Sequence, residues 1–407
     1  MQTLGLGGRR KLLTCAAIFF VTLGVYCTVS YKELLSQSPA PHYVYQAKSF
    51  LAGKLDIEKP LDEAVPYKGK FYVAEMPLPS LLMMPFVALF GVGMNDVIFV
   101  VVVGALNVAL CYLMLQEYRR SQDITLNENE ILWMVAFFAF GTIYFYMSLR
   151  GRVWFTNQIT AVTMILAYLL CVAANTKRSI LAGIFCGFAI LSRSSTALAV
   201  LIYPLFCFTE KSTEPWSSRA RKVVLFSLPV LFLGLIILVF NYLRYENPFE
   251  FGYSYIVRLP LFGLRYIKEN FYDEYLRLPV FQRTFPFFTF DGRGMSFFIA
   301  MPGFLSLAQI RKFNWRMGAL LVSVLSIGFS ILTYQAAGFY QFGPRYTLDF
   351  VPFLFLFLCM GLTRVNKIAK TLIVFSIAHN TWGAMIYPYV WPEVFSKTIL
   401  YDLFFSK

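Results

Sequence analysis

The sequence predicts an all-α, polytopic membrane protein, a single domain over 1–407 with about ten or eleven transmembrane helices. Three observations predict it. Hydrophobic residues make up 58% of the chain and charged residues only 14%, a balance outside that of soluble domains. Apolar runs long enough to cross about 30 Å of hydrocarbon recur along the chain. Lys and Arg fall in short clusters between these runs, as the positive-inside rule describes, so the net charge of +14 does not indicate nucleic-acid binding.

The first predicted element is an uncleaved transmembrane helix. Three basic residues, 9–11, precede an apolar stretch, 12–29, that is longer than the core of a typical signal peptide. A secretory signal cleaved at about 36–40 is the alternative. The run 78–90 is short and contains two prolines, so it is interpreted as a re-entrant or interfacial helix. Further spans are predicted at 97–115, 131–148, 153–174, 180–191, 196–208, 223–242, 297–310, 317–334, 346–362 and 368–387.

Arg193 lies between two of these runs and decides the topology. Two short helices that meet at Arg193 place every basic cluster on the cytoplasmic side, together with the N-terminus, whereas one long helix would reverse all later loops. The two-helix interpretation predicts an outer face with loops at about 30–77 and 244–296, and a C-terminus outside. We expect the chemistry there, with an interfacial helix at 42–57. The same spacing also fits a purely structural helix.

Glu75 is the candidate general base. It directly precedes Met76 and Pro77, where the chain turns back into apolar surroundings, and a carboxylate at a membrane boundary is costly unless it is paired or used. Partial burial raises the pKa of a carboxyl group toward the range in which it accepts a proton. A solvated Glu at a helix start is the alternative interpretation.

Four arginines at predicted outer ends of spans are candidates for binding a donor phosphate. A guanidinium presents a fork of donors that matches phosphate oxygens, and snorkelling to headgroups is the competing explanation. Arg193 is favoured first because it lies between two short apolar runs, and Arg345 next because a Gly-Pro pair fixes the chain before it. Arg150 and Arg152 complete the set.

Aromatic side chains are dense in the predicted outer loops. They suit stacking on a sugar ring, and an aromatic membrane belt has the same composition. The candidate substrate-binding residues are His42, Tyr43, Tyr253 and Tyr346. With two histidines in the chain, a histidine-based metal centre is not expected and no residue is assigned to a metal. No cofactor is certain, and a requirement for a divalent metal stays open.

These motifs resemble those of the GT-C superfamily of polyprenyl-phosphate-sugar-dependent glycosyltransferases, which includes protein O-mannosyltransferases and the aminoarabinose transferases that modify lipid A. The similarity is carried, in the family's order, by HYVYQAKSFLAGKL, GKFYVAEMPLPS, GFAILSRSS with Arg193, NYLRYENPFEFGY and GPRYTLDFVPFL. Such enzymes usually carry an Asp in the first outer loop, where this chain reads Ser-Pro-Ala-Pro at 38–41. Glu75, just before the place of the family's Pro-Pro turn, is the remaining candidate for the base.

The resemblance implies a membrane glycosyltransferase. It would move a hexosyl or pentosyl group, with inversion, from a polyprenyl-phosphate carrier to a lipid, glycan or protein acceptor on the outer face. A bacterial inner membrane is the expected location. The alternatives are a transporter or flippase of the lipid-linked sugar and a non-catalytic membrane partner. The sequence shows no internal repeat, which speaks against a transporter.

Overall fold

The structure, a computed structural model, describes residues 6–173, 178–209, 214–281, 283 and 287–386. Within these residues the chain is helical apart from loops and two short antiparallel hairpins, which confirms the predicted all-α class. The predicted outer C-terminal tail lies beyond the described residues, as do the last residues of the predicted spans 153–174 and 368–387.

The longest connections between the α-helices lie between α2 and α3 and after α10. Short stretches of 3₁₀-helix cover Ser194–Leu201, Tyr253–Tyr255, Leu264–Tyr266, Pro302–Gln309 and Arg345–Asp349, and Tyr272–Leu276 forms a π-helical turn. The hairpins pair β1 (Val65–Tyr67) with β2 (Lys70–Tyr72) and β3 (Val280–Phe281) with β4 (Phe288–Thr289). The helices are α1 (Leu6–Val29), α2 (His42–Leu51), α3 (Leu78–Phe90), α4 (Asp96–Arg120), α5 (Glu128–Phe140), α6 (Tyr144–Met147), α7 (Val153–Ala173), α8 (Ser179–Ser192), α9 (Ile202–Thr209), α10 (Trp216–Tyr245), α11 (Ile267–Phe271), α12 (Phe297–Ala300), α13 (Trp315–Thr333), α14 (Val351–Gly361) and α15 (Lys367–Ile386).

Five of the described helices are long and apolar enough to cross a membrane singly: α1, α4, α7, α10 and α13. Each overlaps a predicted span. The other predicted spans correspond to shorter helices or to a short helix joined to a 3₁₀ stretch. The run at 78–90 forms α3, whose 13 residues reach about 20 Å at about 1.5 Å per residue and so fall short of the hydrocarbon core.

One predicted break is confirmed, and three predicted continuous spans, 131–148, 297–310 and 346–362, are interrupted. Helix α8 ends at Ser192, and Arg193 is extended, with φ −144° and ψ 115°, so two helices do meet there. The span 131–148 is instead divided into α5 and α6. The hydroxyl of Thr142 accepts the backbone N–H of Tyr144 at 3.3 Å, and Gly141 lies so close to α15 that a Cβ would approach Ser376 to 3.0 Å. Helix–helix contact therefore ends α5 where hydropathy alone continues it.

Small residues let the central helices pack closely. A Cβ at Gly183 of α8 would lie 2.1 Å from the Phe226 carbonyl oxygen of α10, and a Cβ at Gly187 would lie 2.5 Å from Leu233. Such close approach of backbones is the usual basis of helix association in membranes, where lipid is as apolar as the side chains. The rest of α10 exposes large apolar residues to the lipid.

The predicted outer loops lie at one end of the helix bundle, which we call the loop face. The β1–β2 hairpin packs on the C-terminal end of α10 through Val65, Tyr72 and Tyr245. Lys68 of the hairpin turn also pairs with Glu246, with 2.6 Å between Nζ and Oε1. The segment after α1 and the start of the long loop are therefore in contact.

Candidate functional site

Glu75 is buried on the loop face between β2 and α3. Its side chain is 8% exposed, and burial raises the pKa of this carboxyl group above its ordinary value. The electrostatic influence of His42 and of Arg193 opposes that rise, whereas Glu63 adds to it. The predicted base therefore lies within electrostatic range of a predicted phosphate-binding arginine, although 118 positions of numbering separate Glu75 from Arg193.

Helix α2 directs two predicted substrate-binding residues toward Glu75. The His42 Nε2 atom lies 2.5 Å from the carbonyl oxygen of Asp62, which can only accept, so Nε2 carries the proton. The Nδ1 atom of His42 is buried without a hydrogen-bond partner among the described residues, and the buried hydroxyl of Tyr43 faces the side chain of Asn157. Burial raises the pKa of Tyr43, and the charge of Glu75 raises it further. The Nδ1 atom of His42, next to the predicted base, is thus left for another molecule to satisfy.

Arg193 forms a buried ion pair with Asp349. The Nε atom lies 3.1 Å from each carboxylate oxygen, and a terminal nitrogen lies 2.7 Å from Oδ2. Ser195 donates to Oδ2 at 2.5 Å and Gln158 to Oδ1 at 3.2 Å, so the carboxylate is fully enclosed. The guanidinium also lies over the Tyr346 ring, at 5.3 Å from its centroid. Asp349 therefore offsets part of the charge that Arg193 brings to the site.

Arg345 differs, because its guanidinium has no anionic partner among the described residues. The residue is 7% exposed, and its Nε atom is buried without a hydrogen bond. The guanidinium lies 5.6 Å from the centroid of Trp154 and 5.2 Å from that of Tyr346. Its backbone is held firmly: the carbonyl accepts from Gln158 at 2.7 Å and the N–H donates to Gln341 at 3.2 Å. The result is a fixed, uncompensated cation between two aromatic rings.

Tyr253 joins these groups into what we call the central cluster. Burial raises the pKa of its hydroxyl, and Glu75, Tyr334, Arg193 and Tyr346 are its electrostatic neighbours. The cluster comprises Glu75, His42, Tyr43, Arg193, Tyr253, Arg345 and Tyr346. Seven of the nine residues predicted from the sequence are thus brought together on the loop face.

Arg150 and Arg152 are placed elsewhere. Arg150 is buried and donates to the carbonyl oxygens of Tyr146 at 3.0 Å and Ala384 at 2.9 Å, and it pairs with Glu33 at 3.3 Å. Both arginines line a cavity of about 220 Å³ that no residue of the central cluster borders. Arg150 therefore ties the first loop to α6 and α15.

The segment without the expected carboxylate is held by another acid, Asp96. The backbone N–H of Ser38 donates to Oδ1 of Asp96 at 2.8 Å, and the Ser38 hydroxyl donates to Oδ2 at 2.6 Å. Both residues are buried. The carboxylate of Asp96 is therefore used to fix the backbone of the first loop.

The long loop is stabilised by buried charges that the sequence analysis did not single out. Arg277 donates to Asp273 at 2.8 Å and to Asp291 at 2.7 Å. Next to them, both carboxyl oxygens of Glu274 are buried without a hydrogen-bond partner among the described residues. Burial raises the pKa of Glu274 well above its ordinary value, and the neighbouring Asp273 and Asp349 raise it further. Glu274 thus links the loop electrostatically to the Arg193–Asp349 pair.

Asp349 and Arg244 are the other residues that sequence reasoning missed. Asp349 precedes an apolar run just as Glu75 does, so the same boundary argument would have found it. Arg244 carried no such signal, because an arginine at the end of a span usually reaches headgroups. Among the described residues, no group of three or more His, Cys, Asp or Glu side chains could hold a metal ion.

Comparison with known proteins identifies the fold. No family model and no curated protein matches the chain. The crystal structure of ArnT from Cupriavidus metallidurans bound to undecaprenyl phosphate aligns with 88% of this chain at 14% identity and a TM-score of 0.52. The apo state of the same protein aligns with 84% at 15% identity and a TM-score of 0.50. The archaeal oligosaccharyltransferase AglB from Archaeoglobus fulgidus, in complex with an inhibitory peptide and a dolichol-phosphate, aligns with 91% at 11% identity and a TM-score of 0.49.

The chain spans 59% and 62% of the two ArnT chains and 55% of the AglB chain. The likeness to ArnT shows that this chain has the GT-C fold, that of a class of membrane glycosyltransferases. The resemblance drawn from the sequence motifs is thereby confirmed at the level of the fold.

Proposed function

We propose that this GT-C-fold protein is a glycosyltransferase that moves a sugar from a polyprenyl-phosphate carrier to a hydroxyl-bearing acceptor. The observation that carries the proposal is the guanidinium of Arg345, buried without an anionic partner among the described residues. A buried cation is costly unless it is paired, and a phosphate offers a guanidinium two parallel charge-assisted hydrogen bonds. A lipid-linked phosphate is the anion that a membrane protein of this fold would meet at that depth.

The aromatic rings around Arg345 suit the sugar that such a phosphate carries. Trp154, Tyr346 and Tyr253 surround the guanidiniums of the cluster. Ring faces provide apolar contact to the C–H side of a pyranose, and the tyrosine hydroxyls can bond to sugar hydroxyls. The cluster therefore offers both parts of a glycosyl phosphate a complementary surface.

Glu75 supplies the proton acceptor in the proposed reaction. The acceptor oxygen attacks C1 of the sugar as the bond between C1 and the phosphate oxygen breaks, and its proton passes to the Glu75 carboxylate. The bonding electrons leave with the polyprenyl phosphate, whose growing negative charge Arg345 and Arg193 stabilise. A single displacement of this kind inverts the configuration at C1.

Orientation and location belong to the same proposal. The basic clusters favour a cytoplasmic N-terminus and a loop face that is extracytoplasmic, in a bacterial inner membrane. The acceptor would then be a lipid, glycan or protein on the outer side. ArnT is described in complex with undecaprenyl phosphate, which supports testing carriers of that class first.

The test is transfer of radiolabelled sugar from a panel of polyprenyl-phosphate sugars to membrane extract by the purified protein. Wild type should transfer label, and Glu75→Gln should abolish transfer while undecaprenyl phosphate still binds. Transfer that survives Glu75→Gln would overturn the role of Glu75. Binding of the carrier by wild type without transfer from any donor would instead favour the transporter or partner alternative.

A further inference from the structure

Arg244 is a second buried guanidinium that borders the predicted base. It lies one residue before the end of α10, is 2% exposed and ranks among the largest fully buried side chains of the described residues. One terminal nitrogen donates to the carbonyl oxygen of Val73 at 2.7 Å, and the other donates to Oδ1 of Asn241 at 2.8 Å. The guanidinium lies 4.0 Å from the ring centroid of Phe240 and 4.7 Å from that of Tyr245.

No described carboxylate lies within ion-pair distance of Arg244, yet the residue is not isolated electrically. Its electrostatic neighbours are Tyr245, Tyr72, Tyr253 and the carboxyl group of Glu75. Tyr72 and Tyr245 pack together at the β1–β2 hairpin. Among these four, only Glu75 is an acid whose ordinary pKa lies below neutral pH. A cation excluded from water at that position therefore favours the charged form of the Glu75 carboxyl group.

The bond to Val73 gives the same residue a mechanical role. Val73 follows β2 directly, and the Glu75 side chain branches two residues later. Asn241, which holds the other end of the guanidinium, donates in turn to the carbonyl oxygen of Pro248 at 3.3 Å in the long loop. The position of Glu75 is thus fixed from the end of α10 rather than from the first loop alone.

We propose that Arg244 is a positioning residue for the proposed transfer, one that holds the Val73–Glu75 segment in place and brings a buried positive charge within electrostatic range of the Glu75 carboxyl group. The inference rests on the proposed function, because it assigns Arg244 to the base of that reaction. Arg244 itself touches neither donor nor acceptor.

The other groups that face Glu75 set the direction of the effect. They are His42 and Tyr43 from α2, Glu63 from the first loop, Arg193 after α8, Tyr245 at the end of α10 and Tyr253 from the long loop. Burial already raises the pKa of Glu75. Because Arg244 favours the ionised form, removing its charge should raise that pKa further while the remaining groups are unchanged.

The pH dependence of transfer separates this role from a purely structural one. In Arg244→Met the acidic limb of log kcat/KM should move to higher pH, because more of Glu75 is protonated in the free enzyme. Arg244→Lys, which keeps the charge, should leave the limb in place and lower only the plateau. The matched control is Arg221→Met, which removes an exposed arginine at the opposite end of α10, about 35 Å away at about 1.5 Å per residue. This control should change neither the position of the acidic limb nor the height of the plateau.

A second measurement does not depend on transfer. Stability falls with rising pH wherever the folded state binds more protons than the unfolded state, as a buried acid with a raised pKa does. The fall should extend to higher pH in Arg244→Met than in wild type, and Glu75→Gln should remove the difference between the two backgrounds. If Arg244→Met fails to fold, Arg244→Gln serves as the neutral variant.

A folded neutral variant whose kinetic limb and stability profile both match wild type would overturn the inference. Absence of transfer by wild type would instead refute the proposed function, and the stability comparison would still decide whether Arg244 acts on Glu75.

Discussion

Replacing Arg345 by Met should separate ligand binding from folding. The substitution keeps the length of the side chain and removes a guanidinium that makes no ion pair or side-chain hydrogen bond with any described residue. No acceptor in the described part of the chain is left without its donor. Loss of the two cation–π contacts should lower the free energy of unfolding by about 1–2 kcal/mol. Because the variant no longer buries an unpaired charge, a gain of about several kcal/mol offsets that loss. The variant should therefore be at least as stable as wild type.

The matched variant is Arg193→Met, which should behave in the opposite way. Arg193 donates three hydrogen bonds to Asp349, whose side chain is 1% exposed. Removing the cation leaves this buried carboxylate with only Ser195 and Gln158 as donors. Breaking a buried pair in this manner costs about 3–5 kcal/mol. Replacing Arg by Met should thus lower the free energy of unfolding at position 193 but not at position 345, although both residues belong to the central cluster.

Carrier binding should respond to Arg345→Met even though stability does not fall. Loss of one guanidinium contact to a phosphate should lower transfer by about a hundredfold, or about 3 kcal/mol. The assays are thermal unfolding in detergent, titration with undecaprenyl phosphate, and transfer at saturating acceptor. Wild-type affinity for the carrier in Arg345→Met would refute the phosphate role. A loss of stability as large as that of Arg193→Met would show that Arg345 has a structural partner after all.

Three further substitutions and one control substitution test the fold. Ser38→Ala should lower the free energy of unfolding by about 1–3 kcal/mol, because Asp96 loses a buried donor. An unchanged thermal unfolding profile would show that the bond between Ser38 and Asp96 does not hold the first loop. Gly183→Ala should cost about 1–3 kcal/mol, since its Cβ meets a backbone carbonyl of α10 at 2.1 Å. Gly234→Ala, with no atom within 4 Å of the new Cβ, is the control and should not destabilise the protein. Glu274 has a pKa raised well above 4.5, so the folded state retains a proton that the unfolded chain has released, and wild-type stability should fall as pH rises above that value. Glu274→Gln should flatten that dependence between pH 5 and 8, and an equally steep profile in the variant would contradict the assignment.

Hydropathy predicted most helix positions, because the lipid environment requires every span to be an apolar stretch long enough to cross the hydrocarbon core. The run 78–90 became α3 with the same ends, and the predicted break at Arg193 is where α8 ends. The interruption after α5 was not predictable from hydropathy. It depends on how closely α15 approaches Gly141, which is a contact between segments far apart in the chain.

The central cluster was predicted in its members but not in its connections. Arg193 and Arg345 are the same residue type at similar boundaries, and the sequence favours Arg193 for the ligand. The structure pairs Arg193 with Asp349, 156 residues away, and leaves Arg345 without an anion among the described residues. Such a pairing cannot be read from local pattern, because it depends on which helix ends meet in space.

The Arg345 cation also bears on how fast the proposed enzyme could work. After transfer the carrier is left as a phosphomonoester, which bears more negative charge near neutral pH than the phosphodiester of the donor. A guanidinium that has no anionic partner among the described residues should then hold the spent carrier at least as firmly as the fresh one. Product release, rather than bond breaking, would limit turnover, and added carrier phosphate would inhibit competitively. In the cell, the rate would follow how quickly the emptied carrier is withdrawn into the membrane.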